Sequence, residues 1–203
     1  MKEKRYFLLI FAAVLIAVYI GAFFIPERVE KYSLDPEKKA EVWRFITYPF
    51  VHLNLRHLIE NLIGFSILSF IAFEVKTAFS DFSSTYGSSG FLSVIPIWLA
   101  MAFKALGASN AIFGGFGLMS QEVKKYSING WLIIAVLTGL TFMSTILTFF
   151  NYGTGSQEFS FALKQGLAHF SGLVFGIGFF YFLGWIKPIL TKRKRYALRR
   201  GSG

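Results

Sequence analysis

The sequence contains no cysteine, which excludes a disulfide framework, a thiol nucleophile and a thiolate metal site together. Histidine is nearly as scarce: His52, His57 and His169 are the full set, so imidazole chemistry must draw on these. Acidic residues number 11 against 21 lysines and arginines. No internal repeat is visible, which argues against a repeat array. The first apolar run ends Gly21-Ala22-Phe23-Phe24-Ile25-Pro26 without a small-x-small cleavage site. It is therefore expected to stay as an anchor rather than to be removed as a signal.

What is present is apolar. Hydrophobic residues make up 54% of the chain, too many for a soluble domain with a polar surface. Residues 6–25 hold no charge and as a helix would reach about 30 Å, the thickness of a hydrocarbon core. Five further apolar segments follow, at about 57–73, 91–103, 109–120, 130–150 and 165–186. The linkers between them are short. The expected fold is an all-α membrane protein, a bundle of six transmembrane helices in a single domain over 1–203. Its core spans about 6–187, and a basic cytoplasmic tail covers 188–203, whose Gly201-Ser202-Gly203 end reads as a cloning scar.

Six crossings put both termini on one side, and charge tests that count. With the amino terminus, 74–90, 121–128 and the tail inside, that face carries thirteen basic and four acidic residues; the other carries seven and six. An excess of lysine and arginine marks the cytoplasmic face, so both termini are expected there, in the cell membrane. The cluster from Lys192 to Arg200 suits anionic lipid headgroups rather than nucleic acid.

The fourth segment is anomalous. Its uncharged stretch from Ser109 to Ser120 rises only about 18 Å as a helix and cannot cross the core alone. Glu122, Lys124 and Lys125 hold its inner end at the surface, so Ser109 must lie sunken within the protein. His169 follows Lys164 by five residues, about 7.5 Å down the last helix, at a depth that can match Ser109. His169, Gly172 and Gly176 share one helix face, and Gly114, Gly115 and Gly117 offer slim surfaces on the fourth helix, so the two can pack closely. Small residues at helix crossings are also ordinary packing devices, and Ser109 alone is read first as packing. An imidazole inside a bundle is costly and points to function or pairing. Glu60 sits four residues after Arg56, where a helix-face ion pair accounts for it.

Here the sequence resembles a family. Trp43, Arg44, Thr47, Phe50, His52, Asn54, His57 and Asn61 look like the first loop and second helix of rhomboid intramembrane proteases. Gly107-Ala108-Ser109 resembles their nucleophile motif, and the run from Ala168 through His169 and Gly172 to Gly176 resembles the motif that carries their base. The resemblance implies a serine endopeptidase without cofactor or metal, cutting single-span membrane clients, with its site open to the outer face. Ser109 would attack the scissile carbonyl and His169 would move its proton. His57, Asn61 and the Ser109 amide would form the oxyanion hole. His52, Gly107 and Phe113 would support the site, Phe113 stacking where the family usually has tyrosine. Asn110 stands where the family commonly has glycine and would either crowd the client or add a hydrogen bond. Lys104 introduces a charge before the nucleophile loop, reaching the outer cavity or packing with its stem. Trp43 and Arg44 would lie in the outer interface.

Two rival readings use the same residues: a catalytically inactive rhomboid-like protein that binds or escorts membrane clients, and a metalloenzyme built on His52, His57, His169 and Glu60. The topology itself is testable. A cysteine at Ser33 should react with an impermeant thiol reagent only from outside and one at Ser202 only from inside; the reverse pattern overturns the orientation.

Overall fold

The computed structural model describes the backbone of residues 3–200 and the side chains of residues 6–190. The side chains of Lys2, Lys4 and Arg5, the basic cluster from Lys192 to Arg200 and the end Gly201-Ser202-Gly203 lie outside the described residues. Among those described, nine α-helices form: α1 (Glu3–Phe23), α2 (Arg28–Tyr32), α3 (Arg44–Thr47), α4 (Leu55–Glu74), α5 (Phe79–Leu92), α6 (Ile95–Met101), α7 (Ser109–Glu122), α8 (Gly130–Tyr152) and α9 (Gln157–Arg200). The all-α architecture expected from hydropathy is the one that forms.

Four helices are long and apolar enough to cross a membrane, over Tyr6–Phe23, Leu55–Glu74, Gly130–Tyr152 and Gln157–Leu190. Each buries a third or less of its apolar window inside the protein, leaving side chains such as Phe7, Ile10, Ile63, Phe70, Leu132, Leu140 and Leu147 on the surface. Such an apolar belt belongs in lipid.

The remaining helices are shorter, and here structure and sequence expectation part. Hydropathy places the third segment at 91–103 after an inner loop at 74–90. Instead α5 begins at Phe79, breaks at Ser93 and Val94, and continues as the seven-residue α6. Serines conceal α5 from a hydropathy reading. Ser84 and Ser88 each return their hydroxyl to the carbonyl four residues back, at 2.5 and 2.6 Å, while Phe82, Thr85, Tyr86, Ser89 and Gly90 are buried. The helix packs on protein rather than lipid and needs little apolar surface. Similarly, α9 starts at Gln157 rather than near 165, which leaves only a short turn after α8 in place of a longer outer loop.

The short helix α7 is the central element, packed against α4, α5, α8 and α9. Its approach to α9 is close enough that a Cβ on Gly176 would fall 1.9 Å from the Gly114 carbonyl oxygen, and one on Gly117 would fall 2.3 Å from that of Leu173. Phe65, Leu68, Phe82, Leu118 and Met119 form an apolar core around it. A second, smaller core of Leu34, Tyr48, Val94, Trp98, Ala105 and Ala168 lies under the first loop.

That loop is pinned to the segment before α7. Leu34 and Ala105 exchange backbone hydrogen bonds, both at 2.9 Å, and Gly107 N–H donates to the Tyr48 carbonyl at 2.9 Å. Tyr48 is buried and its hydroxyl donates to the Gly90 carbonyl. Trp43 is exposed as expected, but Arg44 is not at the interface: it is buried, bonding Glu41 and the carbonyls of Glu30 and Ser33. Ser33 is buried too, so the outer cysteine probe belongs at exposed Lys39.

Two glycines on one helix separate packing from propensity. Gly176→Ala forces a methyl against backbone and should destabilise by roughly 1–3 kcal/mol or more. A Cβ on Gly178 would meet nothing within 4 Å, and Gly178→Ala should be neutral or slightly stabilising. Thermal unfolding in detergent compares them; equal effects would refute the close contact.

Candidate active site

The mouth of α4 is set by its cap. Asn54 accepts the His57 N–H at 2.9 Å, which satisfies one first-turn donor and starts the helix at Leu55. His57 and Asn61 then fall one turn apart. Arg56 and Glu60 form the expected pair at 2.8 Å, with both side chains largely solvent-exposed, so it contributes little stability. Asn61 is buried, and its amide donates to the His57 carbonyl at 2.8 Å. It does not line the cavity that His57 faces.

Gly107 shapes the loop before the serine. Its φ of +97° is a left-handed conformation that favours glycine. A Cβ there would also fall 2.6 Å from His57 Cε1 and 2.7 Å from its Nε2. The His57 ring therefore rests against the Gly107 backbone, two residues from Ser109. Ser109 opens α7, with Ala108 before it providing no side-chain cap. The first-turn amides of α7 lack intrahelical acceptors, as at any helix start.

His169 meets this end of α7 from α9. Its ring stacks on Phe113, one turn beyond Ser109, with centroids 4.8 Å apart and planes 10° from parallel. Ser109, His169, His57 and Asn110 line one cavity of about 460 Å³. Ser109 and His169 make no direct hydrogen bond in this state, and such bonds commonly tighten only when substrate is bound. The cavity also takes in Arg56, Glu60, Lys104 and Lys164. Lys104 is paired with Asp35 at 3.3 Å and Glu30 at 3.5 Å. Beside the Glu37 amide and this lysine, the Asp35 carboxyl is held below its usual range.

Asn110 does not crowd the cavity; it supplies hydrogen bonds. Its amide donates to Ser93 Oγ and to the Ala168 carbonyl, both at 3.0 Å. Ser93 carries no motif, and the geometry that gives it a role exists only because the chain breaks between α5 and α6. Tyr48 is equally illegible in sequence, since its importance lies in what its carbonyl and hydroxyl hold.

His52 sits behind the site rather than in it. It is fully buried, with edge contacts to the rings of Tyr19 at 5.6 Å and His57 at 5.3 Å. Its carbonyl accepts from Arg28 at 3.1 Å. Neither ring nitrogen makes a well-formed hydrogen bond. Burial first and the nearby His57 second lower its pKa to about 4, against an opposing effect of the Phe50 backbone and with a lesser lowering from Arg28. Among the described residues no three histidine, aspartate or glutamate side chains are grouped to hold a metal ion.

The arrangement defines an integral membrane protein whose buried short helix and α9 each contribute a residue, Ser109 and His169, to one cavity. The chain belongs to the rhomboid family, whose Rhomboid domain matches residues 39–186. It is similar to Rhomboid-type serine protease 2 of Podospora anserina, with 25% identity over 170 residues, covering 77% of this chain and 52% of that protein. The chain thus spans about half the length of the curated relative it matches.

A depressed histidine pKa has a defined sign. A neutral folded-state His52 contributes stability that is present above the ordinary value near 6.5 and is lost as pH falls towards about 4. The melting temperature should fall across that window, and His52→Phe, which cannot titrate, should flatten the slope. An unchanged slope in the variant would assign the acid sensitivity elsewhere.

Proposed function

We propose that this chain is an intramembrane serine protease that hydrolyses a peptide bond in or next to the transmembrane helix of single-span client proteins. The observation that carries the reading is the convergence of Ser109, His169 and His57 on one cavity at the buried end of α7. Ser109 Oγ attacks the scissile carbonyl as His169 takes its proton, giving a tetrahedral oxyanion. Collapse breaks the C–N bond, and the leaving amine takes the proton from His169. Water then attacks the acyl carbon as the same ring takes its proton, and the second collapse breaks the C–Oγ bond while His169 returns that proton to Ser109, freeing the carboxylic product. His57 and the Ser109 amide receive the oxyanion in this reading. Asn61, turned to the His57 carbonyl, holds the turn that carries His57 and joins the oxyanion hole only if its amide rotates.

The client segment must lose helical structure to expose a carbonyl. The cavity lies beneath the first loop, so water and client residues reach it from that face. We place this face outside and both termini in the cytoplasm of the cell membrane, with anionic headgroups at the inner face. Support comes from the charge asymmetry of the sequence, and the Lys39 and Ser202 cysteine pair tests it.

The inactive, client-escorting reading is distinguished by chemistry. A fluorophosphonate probe should label the wild type and not Ser109→Ala; an unlabelled, folded wild type refutes the protease reading. Ser109→Ala and His169→Ala should each abolish client cleavage, with non-additive losses because the pair acts as one unit. For Asn61→Ala, a donor lost from the oxyanion site costs roughly 2.7–4 kcal/mol in turnover with little change in KM. If Asn61 only braces His57, the melting temperature falls and activity follows the folded fraction. Steady-state kinetics beside a melting curve separate the two.

A further inference from the structure

Asn110 is buried at 5% exposure, and both of its amide N–H bonds are used. One holds the Ser93 hydroxyl, which itself donates to the Ser89 carbonyl at 2.7 Å. The other holds the carbonyl of Ala168, the residue before His169. Ser171, two residues after His169, donates to the same Ala168 carbonyl at 2.7 Å and to the Ser93 carbonyl at 2.8 Å. At the next residue, a Cβ on Gly172 would fall 2.6 Å from the Asn110 carbonyl oxygen. The backbone around His169 is therefore held from α7 and from the α5–α6 break on both sides of the residue.

We propose that Asn110 is a positioning residue, which fixes the depth and rotation of His169 relative to Ser109 by tying α9 to the residue next to the nucleophile. The inference rests on the Ser109–His169 reading above. Phe113 sets the plane of the imidazole, but stacked rings slide over one another at small cost. The Asn110 amide removes that freedom, because it bonds the backbone from which the ring hangs. Both Asn110 bonds are buried, where an unpaired carbonyl or hydroxyl is costly and the bonds are hard to exchange. Reaction geometry is sensitive on this scale, since a displacement of about 1 Å at a catalytic group can cost roughly a hundredfold.

The test uses the full chain in detergent or liposomes and three measurements: the rate of Ser109 phosphonylation by a fluorophosphonate, client kcat and KM, and thermal unfolding. Asn110→Ala should lower phosphonylation and kcat by about ten- to a hundredfold per folded molecule. Client KM should move less than about twofold, because the residue does not bind the client. Ser93→Ala keeps the Asn110–Ala168 bond and should cost less than Asn110→Ala in both rates. A folded Asn110→Ala protein phosphonylated at the wild-type rate overturns the proposal, as does a loss confined to KM. Should Asn110→Ala fail to fold, Ser171→Ala removes the other tether from the same carbonyl without touching α7. A severalfold slower phosphonylation in that variant supports the proposal, and a wild-type rate there overturns it. If the wild type shows no Ser109-dependent labelling, the protease reading fails and this inference with it, whereas labelling that ignores Asn110 and Ser171 sinks the inference alone.

Discussion

The contact between α7 and α9 is the constraint on which the rest of the molecule depends. A helix of 14 residues cannot reach across a bilayer, so the end that stops short must be covered by protein rather than by headgroups. In lipid the apolar effect gives little drive for helices to associate; what holds them is fit and interhelical hydrogen bonding. Glycines at 114, 117, 172 and 176 let backbone meet backbone, and this approach gives Asn110 the reach to bond Ala168. Larger residues at the crossing would move His169 away from Ser109 even if every motif residue were kept.

The first loop completes the other side. Gly107 adopts its left-handed turn against the His57 ring and donates to Tyr48. Leu34 pairs with Ala105 just before that turn. Arg44, buried among carbonyls and Glu41, holds the loop's own shape. Loop, α4 mouth and the Gly107 turn are thus one polar assembly resting on the small apolar core around Tyr48 and Trp98. The loop meets the cavity through Gly107, which bonds Tyr48 and rests against the His57 ring.

What sequence makes legible follows from what leaves a one-dimensional trace. The long spans announce themselves because lipid demands uninterrupted apolar residues, and α7 announces itself by being too short between charged neighbours. Ser109 and His169 emerge from spacing and resemblance and Phe113 from resemblance alone; the first two line one cavity, and Phe113 stacks on the His169 ring. Helix α5 reads as a loop because its serines satisfy themselves on their own backbone, so polar composition does not mean solvent. Arg44 misleads for the converse reason: a basic side chain beside tryptophan looks interfacial, and only the fold shows it turned inward. Asn61 and Asn110 present the hardest case, since an amide's partner is decided by rotation about side-chain bonds, which no spacing rule encodes.

The orientation of the histidine is where these constraints combine. A base must be held in direction as well as in place, and soluble serine hydrolases commonly use a buried carboxylate for this. Within a bilayer that solution requires desolvating a charge, at a cost that a single ion pair seldom offsets. Here the ring of His169 lies flat on Phe113, the carbonyl of Ala168 before it accepts from Asn110 and Ser171, and Ser171 after it also donates to the Ser93 carbonyl. Stacking and neutral amide or hydroxyl bonds fix an orientation with no buried charge, and they gain rather than lose strength as the surroundings become less polar. A polar site at the end of a short helix is thereby compatible with the medium that surrounds it.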